Sequence, residues 1–192
     1  MKYLFWTFAI TFINLTFALS SLNGLEKGTT VPIKDIVTVS GKKYSLTEKN
    51  KDFILVFFRG SWCPYCMSQL KSIESDIVPQ LKKNQILLAI SVDKPIVAKK
   101  MKDKFNYTFG IVSDSKAKIL KSFNISNKIS DELVLKYKNS YSINIEGDSG
   151  ESHHIIAHPA VYIVKDGRIS FSDVHINYKE RTDNKVILKE LK

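Results

Sequence analysis

Phe57-Phe58-Arg59-Gly60-Ser61-Trp62-Cys63-Pro64-Tyr65-Cys66 holds both cysteines of this 192-residue chain, two residues apart, where an apolar run gives way to a helical pattern. The run Phe53 to Phe58 is apolar throughout, which suits a strand buried on both faces at the centre of a sheet. Pro64 suits the start of a helix, where its missing N–H would have had no partner. Beyond it Met67, Leu70, Ile73, Ile77 and Leu81 recur at spacings of three and four and form one apolar stripe, with Pro79 expected to kink or shorten the last turn. Both thiols then fall on the first turn of a helix, where free backbone N–H groups and the macrodipole favour a negative sulfur. Cysteines so placed titrate at roughly 3.5 to 7.5 rather than near 8.5, and redox chemistry is the expectation.

Outward from this point the chain alternates strand and helix. Ile86 to Val92 is a second buried strand, 95–104 a lysine-rich helix, Phe109 to Val112 a short strand and Lys116 to Phe123 another helix. That rhythm implies parallel pairing through crossovers. Upstream, Ile33 to Val39 and Lys43 to Leu46 flank the turn Ser40-Gly41 as an entry hairpin. Residues 124–157 interrupt the alternation. Ser130 is placed to cap a helix reaching about Lys138, and Asn144 to His154 reads as a polar surface loop. Ala160 to Val164, Asp166-Gly167 and Arg168 to Phe171 carry a hairpin signature, and a helix over 183–191 closes the chain.

The ends of the chain and its charge bound the setting. Met1-Lys2 followed by the apolar stretch Tyr3 to Phe17 and Ala18-Leu19-Ser20 resembles a cleaved secretory signal over residues 1–20, with an uncleaved membrane anchor as the alternative. No cysteine follows that stretch to carry a lipid. The expected location is outside the cytoplasm, in the bacterial periplasm. Residues 21–192 fit one domain large enough to fold without disulfide staples, so the cysteine pair serves something other than closing a long loop. The formal charge is +10, but the lysines are scattered and no motif gathers them with aromatics, which argues for a solvated basic surface and against a nucleic-acid partner.

Strand, WCxxC at a helix start, strand, helix and an x-Pro before a β-hairpin resemble the thioredoxin fold. In finer detail, residues 57–66 with Gln69-Leu70, Ile90-Ser91-Val92-Asp93, His158-Pro159-Ala160-Val161-Tyr162-Ile163-Val164 and Tyr178-Lys179-Glu180-Arg181 resemble the peroxiredoxin-like branch of the AhpC/TSA (redoxin) families. The resemblance implies an α/β thioredoxin-like fold: a central mixed sheet flanked by helices, an N-terminal β-hairpin extension, and an insertion before the cis-proline strand. It makes Cys63 the nucleophile and Cys66 the resolving partner, matches Pro159 to the cis-proline facing the pair, and gives Trp62 the part of an apolar shield. Arg59 and Arg181 become candidates to stabilise a thiolate or a bound peroxide.

The implied activity is thiol-disulfide exchange on protein disulfides, with a thiol reductant or oxidant as partner and no cofactor beyond the redox-active disulfide. A thiol-dependent peroxidase using the same cysteines is the alternative. Against the peroxidase, Gly60 stands where typical peroxiredoxins carry a threonine or serine, three residues before the reactive cysteine. His158 before the proline also departs from the small or β-branched residue common there. A third reading is a copper carrier using Cys63, Cys66 and one of His153, His154, His158 or His175, although these histidines have no metal-ligand spacing of their own.

Overall fold

The computed structural model describes residues 24–192, so the expected export segment over 1–20 lies outside the described residues. In chain order the strands are β1 (Asp35–Val37), β2 (Lys43–Ser45), β3 (Asp52–Phe57), β4 (Gln85–Ser91), β5 (Gly110–Ser113), β6 (Ser126–Lys128), β7 (Ile155–Ala157), β8 (Ala160–Lys165) and β9 (Arg168–Val174). The helices are α1 (Pro64–Ser72), α2 (Pro95–Phe105), α3 (Lys118–Ser122), α4 (Asp131–Tyr141), α5 (Ile145–Ser149) and α6 (Asn184–Glu190).

Five strands form the central sheet in the order β5-β4-β3-β8-β9. β3 runs parallel to β4 and antiparallel to β8, so the all-apolar run sits in the middle, as its composition predicts. Its alternate side chains feed two separate cores. Phe53, Leu55 and Phe57 pack on one face with Ile36, Leu46, Leu120, Phe123 and Tyr162. Ile54, Val56 and Phe58 pack on the other with Leu70, Ile73, Ile77, Met101, Ile187 and both cysteines. Trp62 touches both cores.

The helix after Cys63 is interrupted as Pro79 requires. The α-helix ends at Ser72, Ile73–Ile77 widens into a π-turn, and Val78–Gln80 tightens into a 3₁₀ turn. A proline cannot donate to the carbonyl four residues back and its ring clashes there, so the ladder shifts register before it. The entry hairpin closes with Gly41 at φ 83°, and the β8–β9 turn holds Asp166 and Gly167 at φ 49° and 77°.

The insertion is more ordered than its polarity suggests. β6 pairs antiparallel with β7, Ser130 Oγ accepts the Leu133 N–H to cap α4, and 145–149 is a helix rather than part of a loop. Ile125, Ile129, Val134, Ile145 and Ile156 anchor it to the core, an irregularly spaced set that neither period would reveal. His154 bridges the insertion: Nδ1 lies 2.8 Å from Asp131 Oδ1 and Nε2 2.9 Å from Glu146 Oε1.

Two carboxylates accept only, so this bridge needs both ring nitrogens protonated, and the hydrogen bond to Glu146 leads in raising the His154 pKa above 6.5. A raised folded value adds stability that is complete below the unfolded pKa and lost as pH rises through the folded one. The stability difference between the native chain and His154→Gln is expected to shrink as pH rises above the unfolded value of about 6.5, measured by denaturant titration. In the core, Phe57 lies 5.1 Å from Phe123 and 5.8 Å from Tyr162 between ring centroids. Phe57→Ala is expected to cost about 3–5 kcal/mol by the same measurement.

Candidate active site

β3 ends at Phe57, and the chain turns through Gly60 to Cys63, whose N–H returns to the Gly60 carbonyl at 3.1 Å. The carboxylate of Asp93, just past β4, holds this turn by accepting the Ser61 N–H at 2.8 Å and the Ser91 hydroxyl at 2.9 Å. Asp93 is fully buried, and burial pushes its pKa up to about 6. Cys63 is the N-cap of α1 and its carbonyl accepts the Met67 N–H, while Cys66 lies within the first turn. Both thiols are free and buried, Cys63 at 1% exposure and Cys66 at 0%.

Their environments drive the two thiols apart. The Cys63 pKa is lowered to about 6, chiefly by the hydrogen bond from the Cys66 thiol, with the Cys66 backbone N–H and the charges of Arg59 and Arg181 assisting against burial. The Cys66 pKa is raised, first by burial and then by its neighbour. The lowered value favours the Cys63 thiolate near neutral pH, while Cys66 keeps its proton. Such a pair has one nucleophile and one proton donor.

Arg181 Nη2 lies 3.3 Å from Cys66 Sγ and 4.0 Å from Cys63 Sγ, and its Nη1 donates to the carbonyls of Tyr178 and Glu180. The segment between β9 and α6 thus places a cation against both sulfurs. Arg59, 5% exposed, has its guanidinium 4.5 Å from the Tyr178 ring centre, 5.0 Å from Trp62 and 5.8 Å from Tyr137, and donates to the Tyr137 hydroxyl at 2.8 Å. Aromatic faces hold a desolvated guanidinium without cancelling its charge. Tyr137 comes from α4, so the insertion reaches the cysteines through Arg59.

Pro159 immediately precedes β8, whose Ala160 is paired with Phe57 at the end of the strand that leads to Cys63. Its peptide bond is not cis: no peptide bond among the described residues is, and the resemblance-based expectation is corrected on this point. The flanking chain is held by ordinary pairing, with the His158 N–H on the Ile125 carbonyl at 2.8 Å and the Pro159 carbonyl accepting the His175 N–H at 2.9 Å. His158 is 7% exposed, and burial lowers its pKa. Three of the four histidines are engaged elsewhere: His153 on the Ser115 carbonyl, His154 on Asp131 and Glu146, His175 on Asp173. Among the described residues no group of three or more His, Cys, Asp and Glu side chains is arranged to hold a metal.

The AhpC/TSA family model matches residues 28–172. The chain belongs to the AhpC/TSA family. Curated proteins similar to it include the thiol-disulfide oxidoreductase ResA of Geobacillus kaustophilus, 26% identical over 100 residues, and that of Geobacillus thermodenitrificans, 25% identical over 100 residues. Each match covers 51% of this chain and 57% of the relative, so the chain spans little more than half the length of the curated proteins it resembles. Among solved structures, reduced Prx3 from Vibrio vulnificus superposes with a TM-score of 0.67 at 16% identity, over 87% of this chain and 98% of that one. A peroxiredoxin-like protein from Aquifex aeolicus gives 0.66 at 14% identity, over 88% and 86%. These likenesses establish the thioredoxin-like fold.

Tyr137, Asp93, Gln69 and Thr182 are site neighbours that carried no role in the sequence reading. Asp93 and Gln69 stood inside quoted motifs, whereas Tyr137 lies in the insertion with no local signal. Alkylation of Cys63 is expected to follow a midpoint near pH 6, and Arg59→Met and Arg181→Met are each expected to raise it, as measured by the pH dependence of iodoacetamide labelling.

Proposed function

We propose that this protein is an exported thiol-disulfide oxidoreductase in which Cys63 attacks a substrate disulfide and Cys66 resolves the mixed disulfide. The observation that carries this reading is geometric: two free thiols two residues apart, Cys63 at the N-cap of α1 and Cys66 in its first turn, with Arg181 Nη2 3.3 Å from Cys66 Sγ and 4.0 Å from Cys63 Sγ. Cys63 Sγ forms a bond to one substrate sulfur, and the other leaves with the electron pair and takes a proton. Cys66, deprotonated as its neighbour's charge is spent, then attacks Cys63 Sγ. The internal disulfide closes and the reduced substrate departs. Trp62 and the Arg59 box shield this step from water, and Arg181 offsets charge on whichever sulfur leaves. Protein disulfides are the substrate class, by analogy with the thiol-disulfide oxidoreductases among the relatives. The N-terminal apolar stretch supports the exported location, bacterial periplasm in particular.

The same cysteines could in chemical principle reduce a hydroperoxide, but the position that carries the peroxide-orienting hydroxyl in typical peroxiredoxins is closed here. A Cβ on Gly60 would fall 2.4 Å from Trp62 Nε1, so no hydroxyl-bearing side chain fits unless Trp62 moves. Disulfide exchange needs no such hydroxyl.

Cys66→Ser is expected to accumulate mixed disulfides with a reduced-and-reoxidised client such as scrambled ribonuclease, and Cys63→Ser to accumulate none, read by non-reducing gels and mass spectrometry. A stopped-flow peroxide assay is expected to give a rate no better than a free thiol of the same pKa. A rate orders of magnitude higher would return the assignment to a peroxidase.

A further inference from the structure

Away from the two sulfurs, Val97, Lys100, Met101, Lys104 and Phe105 recur at spacings of three and four and so share one side of α2. They form the long wall of a hollow of about 380 Å³ that Ser61 and Asp148 complete. Phe105 also lines a second hollow, of about 350 Å³, with Lys71, Glu74 and Tyr107. The two meet at that ring and form one stretch of hollowed surface, from the turn before Cys63 along α2 to the flank of α1. Much of its lining is apolar. Met101 and Tyr107 are buried, Val97 is half-buried, and Phe105 stays 39% exposed with its ring stacked 5.5 Å from that of Tyr107.

The rim of this groove is basic. Between positions 94 and 105 the chain carries five lysines and one aspartate. Lys99 pairs with Asp103 at 2.9 Å, and Lys102 donates to the Phe109 carbonyl at 2.8 Å. Both acids of the lining keep their charge, and each has a lysine neighbour outside the lining. The Lys94 N–H donates to the Asp148 carbonyl at 2.8 Å and its ammonium acts on the Asp148 carboxylate. Glu74 accepts from the Thr108 N–H and hydroxyl and lies in the field of Lys102. Lys71, Lys100 and Lys104 are exposed and form no ion pair among the described residues. An apolar hollow rimmed by three such lysines is complementary to an apolar side chain flanked by carboxylates. Concavity favours an inserted side chain, and hence a polypeptide, over a flat lipid surface.

Ser61 ties the groove to the chemistry. Its N–H is held by Asp93, and its Cα lies at most about 7 Å from that of Cys63, two residues on. The lysines of α2 are not among the charges that act on Cys63, so they bear on encounter rather than on the reacting atoms. We propose that this groove docks an acidic surface with an apolar anchor, carried by the protein with which the cysteine pair exchanges its disulfide. The proposal rests on the exchange chemistry assigned to the pair.

Two peptides serve as probes, each with one cysteine held as its mixed disulfide with thiopyridine. One alternates glutamate with leucine and phenylalanine, and the other has lysine in place of glutamate. Cys63 thiolate attacks the peptide sulfur, and thiopyridone leaves with the electron pair and takes a proton. Closure of the Cys63–Cys66 disulfide then releases the peptide thiol, so one protein dithiol is oxidised as one mixed disulfide becomes two thiols. Thiopyridone absorbance in stopped flow gives the rate. Reduced full-length chain is expected to prefer the acidic peptide by about tenfold, a preference that fades as salt is raised. Lys100→Glu/Lys104→Glu is expected to abolish the preference while the rate with uncharged dithiodipyridine stays unchanged. Lys82→Glu/Lys83→Glu, the same charge change in the exposed turn before β4, is expected to leave it in place. An unchanged preference in the α2 variant, an equal loss in the Lys82 and Lys83 variant, or a parallel fall toward dithiodipyridine overturns the proposal. So does an α2 variant that loses only its binding to phosphatidylglycerol vesicles, which makes the surface a membrane contact. If no disulfide reacts, the exchange reading itself falls. Docking is then read by fluorescence anisotropy of the acidic peptide with serine for cysteine: binding that the α2 variant abolishes upholds the groove, and equal or absent binding overturns it.

Discussion

A negative sulfur held in a nearly dry place is the constraint around which this molecule is arranged. Burial alone would neutralise Cys63, since removing a charge from water raises a thiol's pKa. It is opposed by a thiol donor from Cys66, by the free amide of the first helical turn, and by two guanidinium groups from opposite ends of the chain. Arg59 arrives directly from the central strand. Arg181 arrives from the segment after the last strand, more than a hundred residues later. Among the described residues neither arginine has an acidic side chain as its ion-pair partner, so neither charge is spent before it reaches the sulfur.

That arrangement explains features of the fold that would otherwise look incidental. A buried guanidinium without a carboxylate needs other partners in place of water, and Trp62, Tyr137 and Tyr178 supply ring faces and one hydroxyl. Two of these rings lie outside the strand-helix core. Tyr178 sits on the segment that carries Arg181, and Tyr137 sits on the insertion helix, which His154 and the β6–β7 pair tie down. The insertion thus acts on the cysteines through one cation rather than by contact. The buried Asp93 carboxylate, held on the opposite side of the turn by Ser61 and Ser91, fixes the backbone without cancelling either arginine.

Most of the sheet was legible in the sequence because it is made of period and punctuation. Phe53 to Phe58 has no polar interruption and Ile86 to Val92 has only Ser91, near its end, and such runs have nowhere to go but the middle of a sheet. Asp166-Gly167 dictates a tight hairpin, and Ser130 announces the start of α4. The cysteine pair at a helix start likewise followed from local order. The insertion was misread because its buried residues, from Ile125 to Ile156, follow no single period and are held by tertiary contacts among polar neighbours. The Arg59 box was invisible for the same reason: Tyr137 is an ordinary residue of an amphipathic helix until the fold sets it against a strand end. The trans geometry at Pro159 shows the limit of resemblance, since a matched position carries a residue type but not a backbone state.

The burial of Cys63 bears on how the cysteine pair can be reached. At 1% exposure Cys63 is not open to a large partner as it stands, and the groups covering the pair include the same Arg181 that lowers its pKa. Access and activation are therefore opposed. Arg181 sits on the segment between β9 and α6, so any movement of that segment away from the sulfurs would withdraw one of the two cations and leave Arg59 and the helix start beside Cys63. Arg59 is fixed by three rings and a hydroxyl, whereas Arg181 donates to carbonyls of its own segment and to the sulfurs themselves.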